Sequence, residues 1–137
     1  MGTWGVGPFD NDHAADFAGD LDEAPPEQRT ELIARALHAV LAPGNNTISR
    51  VADPAVAAAA LVAAQLPGGS PADPVYGPDE PLPPMPVELI PLAIRVLDRV
   101  TAADSEVKQL WDEVPEPGWH DEIARLRAVL VNDISVE

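Results

Sequence analysis

Ala55 to Leu66 reads AVAAAALVAAQL, and this run limits the fold more than any other. A helix that is apolar almost all round has no face to offer water, so it must be buried on most sides. It is also too short to cross a bilayer, which takes ~20 residues. The run therefore predicts a central helix in an all-α assembly, with alanine side chains small enough for neighbouring helices to come close. Asp53-Pro54 just before it reads as an N-cap followed by a proline at the first helical position.

Proline sets the remaining boundaries. Ala24-Pro25-Pro26 closes a first helix and opens a second, with Pro26 placed as a first-turn proline. From Glu27 to Ala42, the residues Leu32, Ile33, Ala36, Leu37, Val40 and Leu41 form a broad core-facing stripe. Glu31 and Arg35 make an i,i+4 pair on the outer side. Pro43-Gly44-Asn45-Asn46 stops that helix. A fourth helix spans about Val87 to Ala102, with Ile90, Ala93, Ile94, Leu97 and Val100 inward. Pro91 lies within it and either kinks it or marks where the regular helix begins after a short first turn. Asp104-Ser105 caps a fifth helix, where Val107, Leu110, Trp111 and Val114 share one face. After Pro115, Pro117 and Gly118, a sixth helix repeats that spacing at Trp119, Ile123, Leu126 and Leu130. The short turn predicts that helices five and six pack antiparallel as an αα-hairpin.

Residues 67–86 hold half of the sixteen prolines, a density that no helix or sheet interior tolerates. This long Pro-rich loop reads as a stiff connector across the bundle. Its alternative role is a polyproline-type ligand, with Leu82-Pro83-Pro84-Met85-Pro86 at its centre.

The first stretch, MGTWGVGPFDNDHAADFAGDL, begins as a Gly-rich extended arm. Trp4, placed among Gly2, Gly5 and Gly7, is expected to plug into the core and pin the arm down. Phe9-Asp10-Asn11-Asp12 reads as a helix start, with Asp10 or Asp12 as cap and Phe9 as the apolar staple before it. Ala14, Phe17, Ala18 and Leu21 form the inner stripe of this helix. Trp4, Phe9, Asp10 and Phe17 are thus the structural anchors of the N-terminal segment. Asp12, Asp16 and Asp20 recur every four residues on the opposite side. Such a like-charge column costs an isolated helix roughly 0.2–0.5 kcal/mol per pair. It is either a solvated face in a very acidic protein or a recognition surface for a basic partner.

The run Gly-Thr-Trp-Gly-Val-Gly-Pro-Phe-Asp-Asn-Asp, followed by Ala15-Asp16-Phe17, resembles the start of a bacterial family, the domain of unknown function 4259. Leu110-Trp111-Asp112-Glu113, then Trp119 and Leu126-Arg127-Ala128, is similar to the C-terminal part of that family. The resemblance implies one domain over nearly the whole chain and a bacterial origin. It implies no activity.

Composition narrows the chemistry. At 137 residues, a single helical domain, 1–137, buries roughly two-thirds of its unfolded surface without metal or disulfide support. The absence of cysteine removes thiolate metal sites and cysteine nucleophiles. No apolar run reaches membrane-spanning length and no signal-peptide pattern opens the chain, so a cytoplasmic protein is expected. A net charge of −15, from 23 acids against 8 bases, makes nucleic acid and anionic membranes poor partners. A basic protein or a divalent cation suits that field.

The three histidines, His13, His38 and His120, offer no pair at helical metal-ligand spacing. Asp10, Asp12, His13 and Asp16 form the best metal candidate, an oxygen-rich set suited to Mn, Mg or Fe. It lacks the later glycine and glutamate of a calcium loop. The glycines do not make a phosphate loop, because Asp10 and Asp12 stand where a phosphate would dock and no Gly-Lys-Ser/Thr ending follows. No serine lies in a GxSxG elbow, and His120 is expected to face water in its first turn. The sequence therefore points to a non-catalytic acidic protein-interaction module without a cofactor. Its concrete form is an immunity- or antitoxin-like inhibitor presenting Asp12, Asp16 and Asp20 to a basic surface. The alternative is a metal-binding protein or metal-dependent enzyme built on the Asp/His cluster.

Overall fold

The computed structural model describes residues 11–42, 47–66, 84–113 and 118–135. Trp4, Phe9, Asp10 and residues 67–83 of the Pro-rich segment lie outside the described residues, as do residues 43–46 and 114–117. Six helices make up the described chain: α1 (Asp12–Glu23), α2 (Pro26–Leu41), α3 (Ser49–Ala64), α4 (Leu89–Val100), α5 (Glu106–Asp112) and α6 (Gly118–Ser135). The fold is all-α, as the periodicities indicate.

The cap of α1 is Asn11, between the two aspartates the sequence offered. Its backbone is extended and its side-chain oxygen accepts from Ala14 N at 2.8 Å. An amide oxygen serves this purpose as well as a carboxylate. Asp12 then becomes the first helical residue, where its charge still complements the helix end. Ala14, Ala18 and Leu21 are buried, and Phe17 packs half-buried against them.

Pro26 is the first residue of α2, as its sequence suggests. The Glu31–Arg35 pair forms on the exposed face. The inner stripe is narrower than expected: Ile33, Leu37 and Val40 are buried, while Leu32, Ala36 and Leu41 are half-buried. Arg29 joins the buried set.

Two proline readings are resolved differently. α3 starts at Ser49, so Asp53 is no cap and Pro54 lies inside the helix. The first turn forms ahead of the proline, with Val51 N and Ala52 N both donating to Ile48 O at 2.9 and 2.8 Å. Pro54 costs α3 one backbone bond; complete burial of Ala52 and partial burial of Val51 work against that cost. In α4, Pro91 is the third residue, where its missing N–H falls among amides with no intrahelical partner. A preceding turn leads in, with Leu89 N donating to Pro86 O and Ile90 N to Val87 O, each at 3.1 Å.

The alanine helix is central. α3 packs against every other helix, and Ala52, Ala55, Ala57, Ala58 and Ala59 are fully buried. α2, α3 and α4 pack mutually; α6 covers α4 and α3; α1 lies along α3. Trp119, Ile123, Leu126 and Leu130 all enter the core from α6, matching the predicted spacing.

The expected α5–α6 hairpin is replaced by another arrangement, in which α5 packs on α3 and α4. Its seven residues are anchored at the start by Thr47, which is fully buried ahead of α3. Glu106 N donates to Thr47 Oγ1 and Val107 N to Thr47 O, both at 3.0 Å, while Ser105 Oγ accepts from Lys108 N. With α5 aimed this way, Val107 is buried, but Leu110 is turned outward and 49% exposed. The end of α5 meets α6 through Trp111 and Trp119, whose rings stack with centroids 5.9 Å apart and planes 4° from parallel.

Candidate functional site

Asp12, Asp16 and Asp20 are exposed on α1, on the side away from Ala14, Ala18 and Leu21. None of the three is in an ion pair among the described residues. Most of the chain's cations are committed elsewhere. Arg35 pairs with Glu31, Arg99 with Asp104, Lys108 with Asp112, Arg125 with Glu122 and Arg127 with Asp98. Arg29 is buried against backbone carbonyls at the end of α1. Its Nε–H is shared between Leu21 O at 2.8 Å and Ala24 O at 3.1 Å. The last turn of α1 contains no basic residue, so α2 supplies the cation that complements that helix end.

Of the metal candidates, Asp12, His13 and Asp16 are exposed on α1, and Asp10 lies outside the described residues. Among the described residues, no group of three or more His, Asp or Glu side chains stands where it could hold a metal ion. Instead the charge of His13 acts on Asp53 of α3. Burial pushes the Asp53 carboxyl up to about 6, and His13 opposes that shift. Asp53 makes no hydrogen bond or ion pair among the described residues. The Asp53-Pro54 sequence concealed this, because it is a ready-made cap signal.

A second polar cluster lies at the α5–α6 corner. Asp112 receives Lys108 Nζ at 2.7 Å and faces His120 Nε2 at 2.8 Å. The hydrogen bond from Lys108 holds the Asp112 carboxyl below its usual range, with a smaller contribution from His120. The His120 ring stands edge-on to Trp119, centroids 5.0 Å apart. His120 thus has a carboxylate partner where the sequence pointed to water. Asp112 and His120 are eight positions apart on different helices, so no helical periodicity signals the contact. The cluster fastens two helix ends whose apolar contact is the tryptophan stack.

Comparison with known proteins adds the family. The family model described as "Domain of unknown function (DUF4259)" matches residues 2–122, from the N-terminal arm into the first turns of α6. No curated protein and no solved structure matches the chain. By the extent of that match, the chain belongs to the domain-of-unknown-function family DUF4259.

Proposed function

We propose that this chain is a non-catalytic, acidic protein-interaction module of the bacterial cytoplasm. In its concrete form it is an immunity- or antitoxin-like inhibitor that offers carboxylates to a basic surface of another protein. The observation that carries the reading is the exposed Asp12, Asp16 and Asp20 column, which has no counter-ion among the described residues, on a chain of net charge −15. Most of the molecule's cations are already committed to its own groups. The column therefore keeps its field for a partner, and complementary charge chiefly raises association rate and selectivity. Exposed charges are screened within about 8 Å at physiological ionic strength, so binding should weaken as salt rises.

The test is capture of partners from the source organism's lysate, using the natural chain and the Asp12→Asn, Asp16→Asn, Asp20→Asn triple variant. A protein retained at low salt, released at high salt and missed by the variant supports the reading. If that partner is a toxin encoded next door, co-expression should relieve its toxicity. No salt-sensitive partner, or one that the variant retains equally, would defeat the proposal. Stoichiometric metal in the purified protein would shift attention to Asp10, Asp12, His13 and Asp16.

A further inference from the structure

We propose that Pro84-Met85-Pro86-Val87-Glu88, the approach to α4, is a docking segment for a partner domain that reads proline in a groove of aromatic rings with a cationic rim. It is a surface separate from the aspartate column on α1. Pro84 and Pro86 are exposed, and Val87 is 74% exposed, the highest value for a large apolar side chain among the described residues. Pro91, one helical turn beyond Val87, is exposed as well. Single exposed apolar side chains are ordinary on a protein surface. Here they follow one another along a single approach and form a ridge, which is the pattern of an interaction surface.

The backbone of the segment is set before any partner arrives. Each proline ring fixes φ near about −65°, and a residue ahead of a proline is pushed out of the helical region, so Met85 takes extended backbone. Regular helix begins only at Leu89. Met85 also holds the segment down: its N–H donates to Gln65 Oε1 at 3.1 Å, and its side chain packs half-buried against the core. On the other side, Leu89 N and Ile90 N close a turn onto Pro86 O and Val87 O. The anchor faces inward while both flanking prolines stay outside. A partner therefore meets a segment with little chain freedom left to lose.

Proline chemistry selects the kind of partner. Pro84 and Pro86 have no N–H to give to a sheet edge, so strand pairing is a poor mode of recognition. A groove of aromatic rings suits them, because it accepts proline rings on preset extended backbone. Charge then selects the rim. Glu88 is exposed and in no ion pair among the described residues. The next charge along α4 is Arg95, seven residues on, about 10 Å along the helix, which exceeds the screening length of about 8 Å at physiological salt. On a chain of net charge −15, lysine or arginine beside the rings attracts this segment and an acidic rim repels it.

The test titrates the nitrogen-15-labelled full chain with a purified SH3-type domain in two versions, one with its acidic groove rim and one with those acids replaced by lysine, followed by amide NMR. The lysine-rimmed version should give saturable shifts at the Met85, Val87 and Glu88 amides, and the acidic version should bind at least about tenfold more weakly. Pro84→Ala with Pro86→Ala, or Val87→Ser alone, should weaken binding at least about fivefold and leave the thermal midpoint unchanged, since these side chains are exposed. Glu88→Lys should reverse the preference between the two versions. The Asp12→Asn, Asp16→Asn, Asp20→Asn triple variant should bind as the natural chain does, which keeps this outcome separate from that of the α1 column. No saturable shift with the lysine-rimmed version, shifts centred on α1, or binding that the proline variant retains in full would each overturn the proposal.

Discussion

Replacing Arg29 tests whether one side chain of α2 holds the end of α1. Arg29 as a whole is only 6% exposed, and its Nε–H bridges the carbonyls of Leu21 and Ala24. Nη2 reaches Asp22 O at 3.5 Å, the outer limit for a hydrogen bond. A charged donor to a carbonyl contributes about 1.5–3 kcal/mol, and one shared hydrogen counts as little more than one bond. A cation at a partly buried helix C-terminus adds up to about 2 kcal/mol. Against these, Leu21 O keeps a second donor in Ala24 N at 3.2 Å, and freed carbonyls at a helix end can take up water. Arg29→Met keeps most of the apolar stem and should cost about 2–3 kcal/mol. That is a large share of the roughly 7–20 kcal/mol expected for a chain of this length. Arg29→Lys should fall between the two, because an ammonium lacks the planar fork. Urea unfolding followed by far-ultraviolet circular dichroism measures all three. If Arg29→Met lies within about 0.5 kcal/mol of the natural chain, the range for an inconsequential surface change, the C-terminal anchor is not what holds α1.

The family match ends at residue 122, but Ile123, Leu126 and Leu130 are 3%, 4% and 0% exposed. Truncation after Glu122 should therefore remove about 5–9 kcal/mol of apolar burial and abolish cooperative unfolding by calorimetry. Asp53→Asn should stabilise the protein at pH 7.5 by up to about 3 kcal/mol and give no gain near pH 4. Its folded pKa, about 6, lies above the ordinary 3.8, so the natural chain loses stability as pH rises between those values; denaturant midpoints across pH should show that slope vanish in the variant. Thr47→Val removes the buried acceptor of Glu106 N and should cost about 1–2 kcal/mol, with the loss of protection greatest in α5 by hydrogen exchange.

What could be read in the sequence was whatever repeats along one helix. The all-apolar α3 announced its central place, and the α6 stripe at Trp119, Ile123, Leu126 and Leu130 was correct at every position. Pro26 and Ser105 marked helix starts through local backbone chemistry that the surroundings do not override. Asp53-Pro54 shows the limit of that logic: the same dipeptide that opens many helices lies here within one, because packing of Ala52 draws the helix back to Ser49. Contacts between distant segments left no local trace. Thr47 accepts from a helix amide 59 positions away, and Arg29 looked like one more polar residue on an outer face. The Asp12, Asp16 and Asp20 column was legible as a column, since spacing alone places it outside. The link from His13 to Asp53 was not, since it depends on which helix α1 lies against.

An alanine helix enclosed by five neighbours leaves evolution little room at the centre. Each methyl of Ala52, Ala55, Ala57, Ala58 and Ala59 sets the separation of two backbones, and even one added carbon must push a whole helix aside. Variation among relatives that keep this architecture should therefore accumulate on the outer shell, where recognition is written, while the axis stays chemically monotonous.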